Sequence, residues 1–450
     1  MNIYQFFLKQ ISDINNDGIA GFRHKLQILL SCFKKIPGYF FAFLAISIIR
    51  ILSPLILIRI GKISENFGNT VSDFEIYLIK KKNNLDFQKK KTIDLFFLGS
   101  KEKDYNNQIV LMLRRNLKFL PNYILQPIYL INRFLKEDSK YIVNDNHYSL
   151  SQEYKSQFEK YFSLSFTADE KKNGILALQK FGLKEGDKFV CLSVRDEKFK
   201  KEIMLSNNFK PSTDFTRNDY RNWEIENFIL AADNLAKKGY YVFRMGKNVK
   251  KPFNVKNEKV IDYANSKERS DFLDIFLGAN CEFCISTGLG FDEVPEIFRK
   301  PTLLMGIMPI GIYRNYNKRF MVCFKHHYSK KYKKNLSLSE IFNERLAFAF
   351  ASKDFEKKQI NLIELSSEDI SDISLEMVEY LENEKKIDKN DMINQEKFNE
   401  LYKKNWFKYS FLEKQDKRLS EKQKISLKMS PLMNCKTSSI FLKKYPEWLK

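Results

Sequence analysis

Short apolar runs alternate with helical-period segments most clearly between residues 260 and 305. Residues 260–263 read as a short strand, and Ser270 then stands as an N-cap ahead of Asp271 and Asp274, whose carboxylates suit a helix's positive first turn. Phe272, Ile275, Phe276 and Ala279 follow at helical spacing and give that helix an apolar face. A hydrophobic strand at 283–285 runs into Ser286, Thr287, Gly288, Leu289 and Gly290, where two glycines permit close backbone approach and positive φ. A short helix over 291–298 and a further strand at 302–305 complete the pattern. Such alternation predicts a parallel sheet, whose ligands bind outside the carboxyl ends of the strands, beside helix N-termini with free N–H groups. Ser286, Thr287, Gly288 and Gly290 are therefore candidate anion-binding residues, with Asp271 at the neighbouring helix start; the bland alternative is a tight β-α turn without a ligand. The loop fits neither common phosphate fingerprint: no Gly-Lys-Ser/Thr follows, and Glu293 occupies the place of the dinucleotide motif's third glycine.

The alternation continues upstream. A helix over 168–181 ends at Gly182, and the apolar strand 188–194 presents Arg195 and Asp196 at its carboxyl end. Asn222 is placed to cap the helix that follows it. The strand at 240–243 ends in Arg244 and Gly246. These ends share one edge of an alternating sheet, so Arg195, Arg244 and the 286–290 loop are expected to converge on one anion.

Nearer the N-terminus, residues 39–49 are almost wholly apolar, Arg50 interrupts them, and 51–58 resume the run around Pro54. A spanning helix needs about 20 apolar residues without a central charge. The segment 34–62, with Lys34, Lys35, Arg50, Arg59 and Lys62 beside apolar blocks, reads as a helix lying in a membrane surface or as a buried helix; 55–60 reads as a core strand. Strands are expected at 74–79 and 92–98, and a helix at 107–117. No signal peptide is expected. Past Pro309, helices at 337–350 and 367–384 flank a strand at 360–365; residues 385–428 are highly charged and weakly periodic, reading as solvated helix or linker, and the aromatic 430–449 tail should dock on the body.

Composition narrows the partners. The 450 residues carry a formal charge of +22, which favours anionic ligands: phosphorylated substrates, acidic headgroups or nucleic acid. The excess is scattered, largely as lysine, and this argues against a dedicated nucleic-acid face. Six dispersed cysteines form no disulfide framework and fit a reducing cytoplasm. Cys281 and Cys284 have knuckle spacing, but strand alternation would send their sulfurs to opposite faces; Cys323 with His326 and His327 lacks the paired spacing of a zinc module. No Asp-x-Asp pair occurs, so arginines and helix ends, rather than a carboxylate-held metal, are expected to neutralise a nucleotide diphosphate. No Gly-x-Ser-x-Gly elbow is present and the four histidines lie outside the strand-end set, which leaves histidine-based acyl transfer without support. A basic cleft suited to a leaving diphosphate remains, with Asp196 either the base for an acceptor hydroxyl or the holder of Arg195.

Several stretches carry a resemblance: residues 189–196 (FVCLSVRD), 219–222 (DYRN), 240–246 (YYVFRMG), 270–277 (SDFLDIFL), 283–288 with Val294-Pro295 and Lys300-Pro301, and the C-terminal 441–446 (FLKKYP). Together they resemble a bacterial glycosyltransferase family of GT-B type found among surface-polysaccharide genes. The strand ending in Arg195 is also similar to the His-x-Arg strand of fucosyltransferase-like enzymes, which implies a donor-diphosphate role for Arg195; this chain departs from that pattern with Ser193 in place of histidine. The resemblance implies an α/β, GT-B-like fold with two Rossmann-like β-α-β lobes facing a central cleft, plus a helical C-terminal extension. On that basis 1–54 is an N-terminal helical segment, 55–165 an acceptor-side lobe, 166–365 a nucleotide-sugar lobe, and 366–450 a charged extension with a docking tail. The expected activity is metal-independent transfer of a sugar from a nucleotide-sugar donor to a cell-surface glycan or lipid-linked precursor, with no cofactor. The protein would be cytoplasmic and peripheral at the inner membrane. A same-fold nucleotide-sugar epimerase, a basic nucleic-acid-binding protein and an inactive scaffold are the alternatives.

Overall fold

A computed structural model describes residues 23, 26, 38–64, 66–82, 91–99, 105–135, 138–143, 164–199, 201–202, 214, 216–382, 388–414 and 431–450, with the side chains of 138, 139 and 411–414 excepted. The fold is mixed α/β with parallel sheets. Contacts divide the chain into two units, one formed by Met1–Glu65, Phe87–Glu102 and Asn116–Asp145 and the other by Asn66–Asp86, Lys103–Arg115 and Asn146–Lys450. The chain thus enters the second unit three times within the 55–165 stretch that the sequence assigns to one lobe.

In the first unit, helix α1 covers residues 38–52 and leads through a turn into strand β1 (Leu57–Ile63). Helix α2 (Phe67–Lys82) follows β1 and belongs to the second unit; strand β2 (Thr92–Leu98) returns to pair in parallel with β1 along its whole length. Helix α3 (Asn107–Asn116) precedes the short strand β3 (Lys118–Phe119), and helix α4 (Asn122–Asn132) closes the small sheet, whose order is β1-β2-β3. Ala42 and Ile46 of α1 join Ile60, Phe97, Leu125, Ile128, Tyr129 and Ile142 in its core. Gly61 is required here: a Cβ would lie 2.3 Å from the Phe96 ring.

The strand expected at 74–79 lies inside α2. Its residues Phe74 through Lys80 are all buried, so the helix has no polar stripe to reveal a 3.6-residue period, and its β-branched and aromatic content imitates a strand.

The second unit is built on a seven-stranded, all-parallel sheet. Its elements run α5 (Ala168–Lys180), β4 (Phe189–Ser193), α6 (Ile229–Lys237), β5 (Tyr241–Arg244), β6 (Val260–Ile261), α7 (Asp271–Asn280), β7 (Phe283–Ser286), α8 (Glu293–Ile297), β8 (Thr302–Leu304) and β9 (Phe320–Val322). A small antiparallel sheet follows, from β10 (His326–Ser329), β11 (Lys334–Asn335) and β12 (Ile360–Ile363). Helices α9 (Ser367–Leu381) and α10 (Lys389–Lys414), strand β13 (Lys436–Thr437) and helix α11 (Ser439–Lys444) complete the chain. The large sheet has the order β13-β9-β8-β7-β4-β5-β6, so strand order reverses between β4 and β7.

Burial on both faces explains why β4 and β7 read as continuous apolar runs rather than alternations. Local signals agree. Thr167 and Glu170 form a capping box on α5, and the Ser270 hydroxyl accepts from the Leu273 N–H to cap α7. Gly174 lets α5 approach the Phe276 ring of α7 to within 2.2 Å of where a Cβ would stand.

Helix α10 is more than the solvated element expected of 385–428. Phe398, Tyr402, Trp406 and Tyr409, spaced by four, four and three residues, are buried in the main core. The tail docks as expected: Trp448 stacks on Phe324 with centroids 4.9 Å apart, and the buried Glu376 carboxylate accepts from the backbone N–H of Ser439. Among the described residues no helix is long and apolar enough to cross a membrane.

Gly306 couples the sheet edge to what lies above it. Its φ of +58° is left-handed, and a Cβ would stand 2.0 Å from Cζ2 of buried Trp223. Gly306→Ala combines left-handed strain with overpacking and is expected to destabilise the protein by about 2–5 kcal/mol. Urea unfolding of the two proteins measures the difference, and equal midpoints would refute it.

Candidate anion site at the sheet switch point

Strand order reverses at the carboxyl ends of β4 and β7, the place where open parallel sheets bind ligands. Two loops meet there. The backbone N–H of Arg195, two residues past β4, donates to Thr287 Oγ1 at the end of β7 at 2.8 Å. Ser286 Oγ donates to Asp292 Oδ1 at 2.8 Å and accepts from the Gly288 N–H at 3.1 Å, so the loop is clamped from beneath. Gly288 has φ +82°, a conformation that favours glycine, and a Cβ would stand 2.7 Å from Ile307 Cδ1. Gly290 lies against Gly68, the second residue of α2, where a Cβ would meet the Gly68 nitrogen at 3.1 Å.

Arg195 and Arg221 bring positive charge to this edge. Arg221 Nη2 donates to the Gly288 carbonyl. The Arg195 side chain has no carboxylate within ion-pair distance among the described residues, and its Nε is buried without a hydrogen-bond partner. Burial, reinforced by repulsion from Arg221, lowers its pKa to about 10, so at neutral pH the Arg195 guanidinium is charged. Two like charges held together without a neutralising acid are costly until an anion arrives. Asn222 Oδ1 and Trp223 Nε1, in the segment that follows Arg221, are also buried and unpartnered.

That segment is held from two sides. The Trp223 N–H donates to the Arg195 carbonyl at 3.0 Å, while Lys325 Nζ donates to the Asn222 carbonyl and lies 4.7 Å from the Trp223 ring centroid. Lys325 sits three residues beyond β9 and is 3% exposed. Burial lowers its pKa to about 8, against the opposing pull of Glu364 at 3.7 Å.

The remaining sequence candidates lie elsewhere. Asp196 accepts from the backbone N–H groups of Lys198 and Lys250, each at 2.9 Å, and makes no hydrogen bond to the Arg195 side chain. Arg244, 1% exposed, pairs with Asp262 at 3.2 Å and donates to the Lys251 carbonyl. It lines a shallow open depression with Asp196, Trp223, Glu224, Lys250 and Lys251. Asp271 accepts from the Asn107 N–H at 2.9 Å, which caps α3. Of the predicted set, Arg195, Thr287 and Gly288 therefore meet at the switch point; Ser286 and Gly290 shape the loop, while Arg244, Asp196 and Asp271 are engaged with neighbouring backbone or carboxylate. Arg221 and Lys325 were not singled out by the sequence as site residues; Arg221 lay within the DYRN stretch, one residue before Asn222.

Among the described residues no three His, Cys, Asp or Glu side chains are placed to hold a metal ion. Cys281 caps α7 instead of lying on a strand, so the alternation argument does not apply to it, and it shares one apolar cluster with Cys191 and Cys284. Burial raises the Cys191 and Cys284 thiols well above their ordinary pKa. Burial likewise pushes His327 down to about 3.

No family model matches the chain, and no curated protein matches it. Among solved structures it is similar to the glycosyl transferase family 9 protein from Veillonella parvula DSM 2008, with a TM-score of 0.42 and 9% identity over 73% of this chain and 98% of that one. It is also similar to E. coli ADP-heptose LPS heptosyltransferase II, with a TM-score of 0.33 and 10% identity over 59% and 90% of the two chains. A third match is the E. coli heptosyltransferase solved with ADP-2-deoxy-2-fluoro heptose, at a TM-score of 0.30 and 10% identity over 59% and 93%. At these scores the likenesses carry no reading of this chain's chemistry.

The buried lysine yields a pH prediction. Between about pH 8 and 10.5 the unfolded chain keeps a proton on Lys325 that the folded chain has released, so the unfolded state binds more protons and stability rises with pH through that window. Lys325→Met removes this contribution. Urea midpoints at pH 7.5 and 9.5 should therefore show a larger gain for the wild type than for the variant, and equal gains would refute the assignment.

Proposed function

We propose that this protein is a glycosyltransferase that binds a nucleotide-sugar donor through its diphosphate at the β4/β7 switch point. The observation that carries the reading is the pair Arg195 and Arg221, held together at the carboxyl edge of a parallel sheet, with no carboxylate paired to Arg195 among the described residues. As the glycosidic bond to the donor breaks, the departing diphosphate gains negative charge. Fixed guanidiniums stabilise it without solvent reorganisation. Arg195 supplies an unpartnered Nε–H, and Arg221, already fixed by the Gly288 carbonyl, supplies its remaining donors. The reaction in this reading needs no metal, because the arginines neutralise the leaving group. The acceptor is a cell-surface glycan or lipid-linked precursor, and the work is done at the cytoplasmic side of the inner membrane.

The test is thermal-shift and calorimetric titration with UDP, GDP and CMP and their common sugars. One nucleotide should stabilise the wild type. Arg195→Ala and Arg221→Ala should each weaken it by about tenfold to a hundredfold, the loss expected for one charge-assisted hydrogen-bonding group. If no nucleotide binds at millimolar concentration, or if both variants bind as the wild type does, the reading fails. Conversion of the donor in the absence of any acceptor would instead identify an epimerase.

A further inference from the structure

Helix α1 is apolar on both faces, and only one of them is covered. Ala42 and Ile46, with Ala45 and Ile49, pack on the core of the first unit. On the other face Phe40, Phe41, Leu44, Ile48 and Ile51 are exposed, at 64, 68, 46, 57 and 75%. Arg50, which interrupts this run in the sequence, does not interrupt the exposed face. Its guanidinium donates to Asn132 Oδ1 and lies 4.9 Å from the Tyr141 ring centroid, turned toward the unit's own body. The exposed stripe is therefore without charge from residue 39 to residue 55.

Among the described residues of the first unit the exposed charges are of one sign. In the first unit the only carboxylate whose side chain is described is Asp94, 2% exposed and bound by Arg59 at 2.6 and 3.0 Å. Lys91, Lys118, Arg133 and Lys140 are exposed. Two of them border the end of α1: Arg133 follows Asn132, the partner of Arg50, and Lys140 precedes Tyr141, the ring that Arg50 covers. Phe134, beside Arg133, is 90% exposed.

We infer that this face of the first unit docks on an anionic lipid bilayer, with α1 lying in the plane of the interface. An uncharged aromatic-aliphatic stripe beside exposed cations is the pattern that enters the headgroup boundary while drawing on acidic lipids. The opposite face of the described helix is packed on protein, so it lies on the membrane with only one face in contact with lipid. The inference rests on the first unit alone and stands or falls independently of the nucleotide site.

Vesicle flotation of the full chain tests it, using phosphatidylcholine vesicles with and without about one-third phosphatidylglycerol. The wild type should float with the anionic vesicles and bind neutral ones at least about tenfold more weakly, and salt should release it. The double variant Phe40→Ser/Phe41→Ser should lose about tenfold or more in vesicle affinity, since each exposed phenyl ring contributes its burial on docking. Its melting temperature and nucleotide response should be retained, because both rings point away from the core. No binding by the wild type overturns the inference, as does equal binding to neutral vesicles or an unchanged double variant. A dimer in solution that the double variant converts to monomer would also overturn it, by showing that a second copy covers the face.

Discussion

The glycine loop at the end of β7 takes its shape from a carboxylate that has no access to water. Asp292 is 0% exposed and accepts from the Ser286 hydroxyl and from the Leu289 N–H. Burial pushes its pKa up, and Arg314, 3.5 Å away, works against that rise. The same guanidinium holds Glu293 at 2.7 Å and Glu296 at 3.1 Å, so one cation organises three acids beneath the loop. With Asp292 fixed, Ser286 and Leu289 are fixed, Gly288 is left in its left-handed turn, and Thr287 is aimed at the Arg195 amide. Everything at the switch point is referred to this buried charge set.

The arrangement has a polarity. Asp292, Glu293 and Glu296 gather on Arg314 beneath the loop, whereas Arg195 has no carboxylate within ion-pair distance among the described residues. The site is thus preorganised for an anion in the sense that its donors are already oriented, and the cost of holding them together is met by contacts elsewhere in the sheet.

How far the sequence disclosed this depends on the kind of information each residue carries. Strands β4 and β7, the Ser270 cap of α7 and the glycines after Ser286 are local signals, readable from apolar runs and turn chemistry. Arg195 drew attention in the sequence because it stands just beyond a buried apolar strand. Arg221 was not, because its place at the site comes from a contact with Gly288, 67 residues away, and Lys325 reaches Asn222 across 103 residues. Arg244 misled for the complementary reason: it ends a strand on the expected edge, but Asp262 meets it there. Helix α2 was hidden by burial on all sides, and the aromatic stripe of α10 by the charged residues between its members. In each case the missing information was a partner distant in sequence.

The order in which this core is assembled follows from the place of its last pieces. Strand β13 pairs with β9 through residues 436 and 437, and Phe441 and Trp448 fill the space around Phe324. While the polypeptide is being synthesised, the edge of the large sheet and the centre of the aromatic core are therefore open until residues 436–448 have emerged and docked. Until then the β9 edge and the Phe324 pocket are surfaces that a chaperone can recognise.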